Sequence, residues 1–490
     1  MQTIDISLQS LNIASISVPG IIVIFAISLI FLSMFAKNLS KAFYVSICIL
    51  AILIDIVILT SFELNQKGFF GVIYIDGITV LSQLIILISS LIFITFHLCK
   101  EKFKDHEIKE YFGLFLFVVA GFSFMVSTNN IILILVGLET SSLALYTLVA
   151  LRNKTNSIEA AIKYFSMGAL STGFYVMGAS LLYLLTGYLE IDKIVKFILD
   201  QNLQHSILLL GASAFLFVSM AFKLSLIPFH TWIVDVYEAS SSPLAGYISI
   251  VPKIVAFVIM IRFFEPLNYI EFINSTLWLV AVLSMSLGNV MALVQKDVKR
   301  MLAYSSVSHC GFVLCAILVG TNEANVGLFV YWIMFLLANL GAFGMLFVTS
   351  SSSKTYHYRF DHPYEKFKGA IKTRPIFAIL MTIFMLTLAG IPPFSVFWGK
   401  IYLISVVVHE ERFYLAFIMA VNSAIAIYYY LKLIVVMFMQ DVSKDSLCLK
   451  NLSNSLKVIL GTLILCVILS SVLINPLSEC IKSLLISSGF

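Results

Sequence analysis

The sequence predicts an all-α integral membrane protein of about fourteen transmembrane helices in a single polytopic domain, residues 1–490. Three observations point there. The residues are 60% hydrophobic and only 12% charged, with a mean hydropathy of +1.01; this is the composition of a lipid-embedded chain, not of a soluble core. Apolar stretches able to cross the bilayer, about 20 residues each, recur along the whole length. Between them, lysine and arginine collect on alternate loops.

The spans fall near 12–36, 42–62, 77–98, 111–128, 131–151, 158–187, 206–237, 244–264, 270–294, 299–320, 325–350, 375–408, 413–439 and 457–475. No basic segment precedes the first apolar run, so that span reads as an uncleaved insertion signal. The stretches 206–237 and 375–408 are too long for one straight crossing. Each contains proline, Pro228 in one and Pro392-Pro393 in the other, so each reads as a broken helix.

Loops after odd-numbered spans hold 21 lysines and arginines, whereas the opposite side holds six: Lys67, Lys193, Lys196, Arg262, Arg412 and Lys482. The positive-inside rule puts the rich side in the cytoplasm and both termini outside. The formal net charge of +5 is then topological and implies no nucleic-acid partner. The largest basic loop, 351–374, reads as a solvated connector. The seven cysteines include no C-x-x-C pair, so clustered ligands for zinc or iron–sulfur centres are not expected. Phosphate-binding glycine loops and nucleophile elbows are absent from the sequence. The run Ser240-Ser241-Ser242-Pro243 is a turn signal before a helix.

A faint internal repeat accompanies the breaks. LSLIPF (Leu224 to Phe229) resembles LAGIPPF (Leu388 to Phe394), and YFSMGALSTGF (Tyr164 to Phe174) loosely resembles AYSSVSHCGF (Ala303 to Phe312). A unit of spans 4–8 (110–264) repeated as spans 9–13 (270–440) contains five helices. An odd number puts the second copy upside down, the inverted-repeat architecture of many transporters.

Six ionisable residues fall well within spans: Asp55, Glu139, Lys223, Lys253, His309 and Lys400, with His230 just past the Pro228 break. A charge at the bilayer centre costs about 2.5–3.5 kcal/mol even on the lenient insertion scale. Broken backbone at membrane depth must line a cavity or lie buried in protein. Lys223 stands five residues before Pro228, and Lys400 seven after Pro393. This placement points to ion or proton transfer. A carboxylate, a histidine and several lysines can pass protons, because each can be charged or neutral. A charge pair about 4 Å apart at an effective dielectric of about 20 is worth about 4 kcal/mol, enough to gate such transfer. Structural alternatives stand beside this reading. Glu139 could pair statically with Lys223, His309 could bond Ser305 or Ser306, and His230 could cap the broken helix. Asp55 is expected to reach polar groups near the outer end of its span, and Lys432 and Lys163 to snorkel to the interface.

The motifs AFKLSLIPFHTWIVDVY (Ala221 to Tyr237), YSSVSHCGF (Tyr304 to Phe312) and GIPPFSVFWGK (Gly390 to Lys400) resemble the antiporter-like membrane subunits of the proton-pumping NADH:quinone oxidoreductase, respiratory complex I. The likeness covers nearly the whole chain. It departs where the family usually has P-D-x-Y followed by G-A-P: here Val234-Asp235-Val236-Tyr237 leads to Ser241-Ser242-Pro243. The chain shows no long lateral helix after its last span. In the twelfth span it carries Lys400 where one family member typically has glutamate.

The resemblance implies roles. Glu139 matches the family's buried glutamate, Lys223 its broken-helix lysine, Lys253 its central lysine and Lys400 its terminal lysine, with His230 and His309 on the same polar axis. It also implies a bacterial inner membrane, and as partners the lipid bilayer with other antiporter-like and small helical subunits. Expected cofactors are none on this chain, with NADH, FMN, iron–sulfur clusters and quinone on partner subunits. Two other readings are a subunit of a multisubunit cation/proton antiporter, sharing the same axis, and a spacer whose polar pairs only hold helices together.

Overall fold

The computed structural model of the chain describes residues 12–36, 38–99, 108–349, 362–442 and 452–486. Most of the basic connector 351–374 lies outside them, as do Lys37, Lys100, Lys102, Lys104, Lys444 and Lys450. The described residues form an all-α membrane bundle. Spans 1 to 6 are Ser17–Phe35, Lys41–Ser61, Gly77–Thr95, Glu110–Ser127, Ile131–Ala150 and Thr155–Thr186. Span 7 is divided into Ile207–Leu224 and Thr231–Ala239, and span 8 into Ser242–Ile248 and Val251–Phe264. Spans 9 to 11 are Glu271–Leu293, Val298–Val319 and Asn322–Thr349; span 12 is divided into Pro375–Ala389 and Ser395–His409; spans 13 and 14 are Phe413–Met439 and Asn454–Val472. Among the described residues thirteen helices are long and apolar enough to cross a membrane, and the two halves of span 12 are shorter apolar helices.

Burial grades inward. Span 8 is wholly enclosed and spans 10 and 11 nearly so, while spans 1, 2, 6 and 14 turn most of their surface outward. Glycines let backbones meet where side chains would hold them apart, as is common between membrane helices. A Cβ at Gly121 in span 4 would stand 2.8 Å from Gly137 O in span 5, and one at Gly311 in span 10 would stand 2.8 Å from Ala281 O in span 9.

These contacts pack span 4 against span 5 and span 9 against span 10. The order of the helices corrects one expectation. The likeness of Tyr164–Phe174 to Ala303–Phe312 joins span 6 to span 10, whereas spans 4–8 repeated as 9–13 would match span 6 to span 11. The breaks do correspond, at an offset of 165. Ser225 and Gly390 cap the first halves of spans 7 and 12, both in left-handed conformation. Ile227-Pro228 and Pro392-Pro393, both cis, follow at matching positions.

The two ends of the bundle are tied differently. At the end rich in basic loops, Arg152 donates to Ala239 O at 2.6 Å, Lys299 to Ser240 O at 2.6 Å, and Arg300 to Glu238. Asp297 caps span 10 and also accepts from His362 N–H at 2.8 Å. Lys432 reaches Gln295 O at 3.4 Å at this end, as snorkelling predicts, and Lys163 pairs with Glu159 and Asp235. At the opposite end a hairpin pairs Gln66–Gly68 with Ile73–Ile75 before span 3. There the buried Arg262 binds Asp76 at 3.0 Å. A final amphipathic helix, Ile474–Ile486, is strapped by Lys482 to Glu323; the sequence reading did not foresee it.

Asp55 does not behave as expected. Both of its carboxylate oxygens are buried without a hydrogen-bond partner, because span 2 turns this residue into the bundle and not toward its polar end.

Candidate functional site

Three lysines occupy the enclosed interior, each beside a helix interruption. Lys223 is the penultimate residue of the first half of span 7. There Ser225 turns the chain, its N–H returning to Ala221 O and Phe222 O, and the Trp232 indole beyond the break donates to Phe222 O at 3.1 Å. Lys253 lies in the first turn of the second half of span 8, after Pro252. Lys400, in the second half of span 12, folds back over Gly390 and donates to Ala389 O, at the end of the first half, at 2.9 Å. A helix C-terminus leaves carbonyls free and carries partial negative charge, so it suits an ammonium group.

None of the three is neutralised by a carboxylate among the described residues. Lys223 Nζ donates to Ser142 Oγ at 2.6 Å. Lys253 Nζ donates to Ser306 Oγ at 2.9 Å and Ser306 O at 3.3 Å. Dipolar partners of this kind support an ammonium without locking it into an ion pair, so its protonation can respond to charge moving nearby.

His309 lies within electrostatic reach of both Lys253 and Lys400. Its Nδ1 meets the Tyr331 hydroxyl, and its Nε2 lies 3.0 Å from the Tyr430 hydroxyl. The expected bond to Ser305 or Ser306 is not formed: those hydroxyls turn back to Leu302 O and Ala303 O. Lys223, Lys253, His309 and Lys400 are all buried.

Two predicted members sit off this line. Glu139 is only half-buried on the outer face of span 5, within electrostatic reach of Lys223 but not in contact with it. The static Glu139–Lys223 pair is therefore not made, because Ser142, three residues further along the same helix, takes the ammonium instead. His230, also half-buried, makes no side-chain cap to the helix that follows it. Its Nδ1 is unpartnered and its nearest ring neighbour is Tyr304, at 6.3 Å.

Sequence reading missed Ser142, Tyr331 and Tyr430 as partners of the axis. The available signal was polar hydroxyls inside otherwise apolar spans, since a buried tyrosine hydroxyl usually finds a partner.

A family model described as NADH:quinone oxidoreductase/Mrp antiporter, TM, matches residues 128–426. The NADH-quinone oxidoreductase subunit N of Campylobacter hominis is 50% identical over 464 residues, covering 94% of this chain and 95% of that protein. The chain belongs to the subunit N family of NADH-quinone oxidoreductase. Among solved structures, a chain of respiratory complex I from Thermus thermophilus with bound aureothin superposes with a TM-score of 0.77 at 26% identity, over 94% of this chain and 98% of that one. A chain of the Mrp complex from Dietzia shares the fold at 15% identity, with a TM-score of 0.80 over 97% of this chain and 98% of that one. The matched residues 128–426 of this subunit N family member take in Glu139, Lys223, Lys253, Lys400, His230 and His309.

Proposed function

We propose that the chain is the proton-translocating subunit N of a bacterial NADH:quinone oxidoreductase. Protons move along Glu139, Lys223, Lys253, His309 and Lys400, with His230 at the edge of the path, and quinone reduction elsewhere in the complex drives the movement. The observation that carries this reading is the set of three enclosed lysines, each at a helix interruption and each held by hydroxyl or carbonyl oxygens. A charge placed on the half-exposed Glu139 face by a neighbouring subunit raises or lowers the proton affinity of Lys223. Displacing charge by about 4 Å at an effective dielectric of about 20 changes such an energy by a few kcal/mol. The proton passes inward from Lys223 to Lys253, then through His309 to Lys400.

In this reading the chain lies in the inner membrane, its basic end in the cytoplasm and both termini on the periplasmic side, beside antiporter-like and small helical subunits. It carries no redox centre; NADH, FMN, iron–sulfur clusters and quinone belong to partner subunits. The test is a mild-detergent pull-down of the tagged chain. Co-purified NADH:quinone reductase activity and iron–sulfur subunits support the assignment. Recovery with other membrane subunits but no NADH oxidation would favour a cation/proton antiporter.

A further inference from the structure

Three histidines are fully buried among the described residues: His97, His309 and His362. Two of them face backbone. His97 Nδ1 lies 3.1 Å from Phe93 O, and His362 Nε2 lies 3.1 Å from Leu346 O. A carbonyl oxygen only accepts, so each of these rings is held with a proton on that nitrogen.

His309 is built differently. Its Nδ1 meets the Tyr331 hydroxyl from span 11, and its Nε2 lies 3.0 Å from the Tyr430 hydroxyl from span 13. A hydroxyl both donates and accepts. Either neutral tautomer of His309, and the imidazolium too, therefore finds a partner at both nitrogens once the hydroxyls rotate. Fixed carbonyl contacts cannot meet that condition, because a bare ring nitrogen facing a carbonyl would be left buried and unmet.

Packing fixes where the two hydroxyls stand. Phe335 covers the imidazole, with ring centroids 4.7 Å apart. A Cβ at Gly399 would lie 3.0 Å from Tyr331 Cα, so span 11 meets span 12 closely at the residue before Lys400. Beside Tyr430, the Tyr429 hydroxyl donates to Asn289 Oδ1 at 3.0 Å and ties span 13 to span 9. The ionisable groups facing His309 among the described residues are Lys253 of span 8 and Lys400 of span 12, besides the two tyrosines.

We propose that Tyr331 and Tyr430 are positioning residues that clamp His309 so that it can take up and release a proton at either ring nitrogen. The inference rests on the lysine path proposed above. A proton from the Lys253 ammonium bonds to the bare ring nitrogen and leaves a neutral amine. The imidazolium then gives up an N–H proton to the Lys400 amine and ends neutral, in either tautomer, with both nitrogens partnered. The hydroxyls carry no net proton; they only turn between donating and accepting.

The test measures acidification per NADH oxidised, across pH, in inverted membrane vesicles carrying the assembled complex. Tyr331→Phe and Tyr430→Phe each delete one hydroxyl and keep the ring. Each leaves the imidazolium one acceptor short, so the yield should fall several-fold at neutral pH and recover about one to two pH units lower. A wild-type yield in either assembled variant, or a loss equal at every pH, overturns the clamp. Should one variant not assemble, the other decides by the same criteria. Failure of both to assemble would make the hydroxyls structural and overturn the clamp as well. Lys253→Ala, measured alongside, separates the two levels. If it pumps normally, the lysine path itself is wrong; if it fails while the tyrosine variants keep the wild-type yield, only the clamp is wrong.

Discussion

Lys223 gives its hydrogen bond to Ser142 at 2.6 Å and leaves Glu139, three residues earlier on the same helix, half-exposed and unpaired. The lysine is thus held by a neutral group while its counter-charge faces outward. A direct pair buried at this depth would resist separation, because breaking it strands a desolvated charge at a cost of about 3–5 kcal/mol. Holding the two apart leaves Lys223 responsive to whatever covers the Glu139 face.

Ser142→Ala should therefore impair pumping as severely as loss of the carboxylate. Removing the hydroxyl leaves the ammonium with an unmet bond worth about 1–3 kcal/mol, and acidification per NADH in inverted vesicles should fall several-fold. Ser142→Thr, which keeps the hydroxyl, should retain most of the activity.

Gly390→Ala probes the Lys400 site. Gly390 has φ +75°, and a Cβ there would lie 2.9 Å from Lys400 Cδ and 3.0 Å from its Nζ. A left-handed alanine costs about 1–2 kcal/mol, and its methyl group pushes the ammonium off Ala389 O. Acidification should drop several-fold in a complex that still assembles, as read on a native gel with NADH staining.

Much of this was legible in the residues themselves. Prolines inside apolar stretches locate the breaks of spans 7 and 12, because loss of a backbone donor is a local event. The buried lysines stand out because charge in a span is costly. The partners were not legible. Tyr331 and Tyr430 reach His309 from 22 and 121 residues away, and span 5 carries Glu139, Thr140, Ser141 and Ser142 in succession, which together point around the helix, so no periodicity reveals that Glu139 faces outward. The interruption of span 8 was half visible. Pro252 marks it, but the bend lies at Ser249, whose hydroxyl turns back to Gly246 O at 2.5 Å.

Arg262→Ala should be the most destabilising single change at the end away from the basic loops. Arg262 binds Asp76 at 3.0 and 3.1 Å and Thr79 Oγ1 at 2.8 Å, with both charged side chains buried. Removing the guanidinium leaves a buried carboxylate uncompensated, at about 3–5 kcal/mol. The yield of assembled complex and its thermal midpoint should both fall, and adding Asp76→Asn should recover part of the loss.

Glu265, just beyond span 8, carries a pH signature. Burial pushes its carboxyl up to about 7 from the ordinary 4.5, although Asn325 Nδ2 donates to both oxygens, at 2.9 and 3.0 Å. The folded chain therefore keeps a proton that the unfolded chain releases as pH rises between those two values. Stability from this site is highest below the window and lost through it. Glu265→Gln should match the wild-type midpoint at about pH 5 and exceed it at about pH 8. A variant that tracks the wild type across the range would contradict this account of the site.

The most direct test of the lysine path is NADH-driven acidification of inverted vesicles carrying Lys253→Ala, normalised to NADH oxidised by fully assembled complex. Lys253 lies in the fully enclosed span 8, with Ser306 as its hydrogen-bond partner. Passage of protons through it predicts a several-fold lower proton yield per NADH, not restored in Lys253→Arg, whose guanidinium cannot release its proton. An undiminished yield in Lys253→Ala would show that protons do not travel through these lysines.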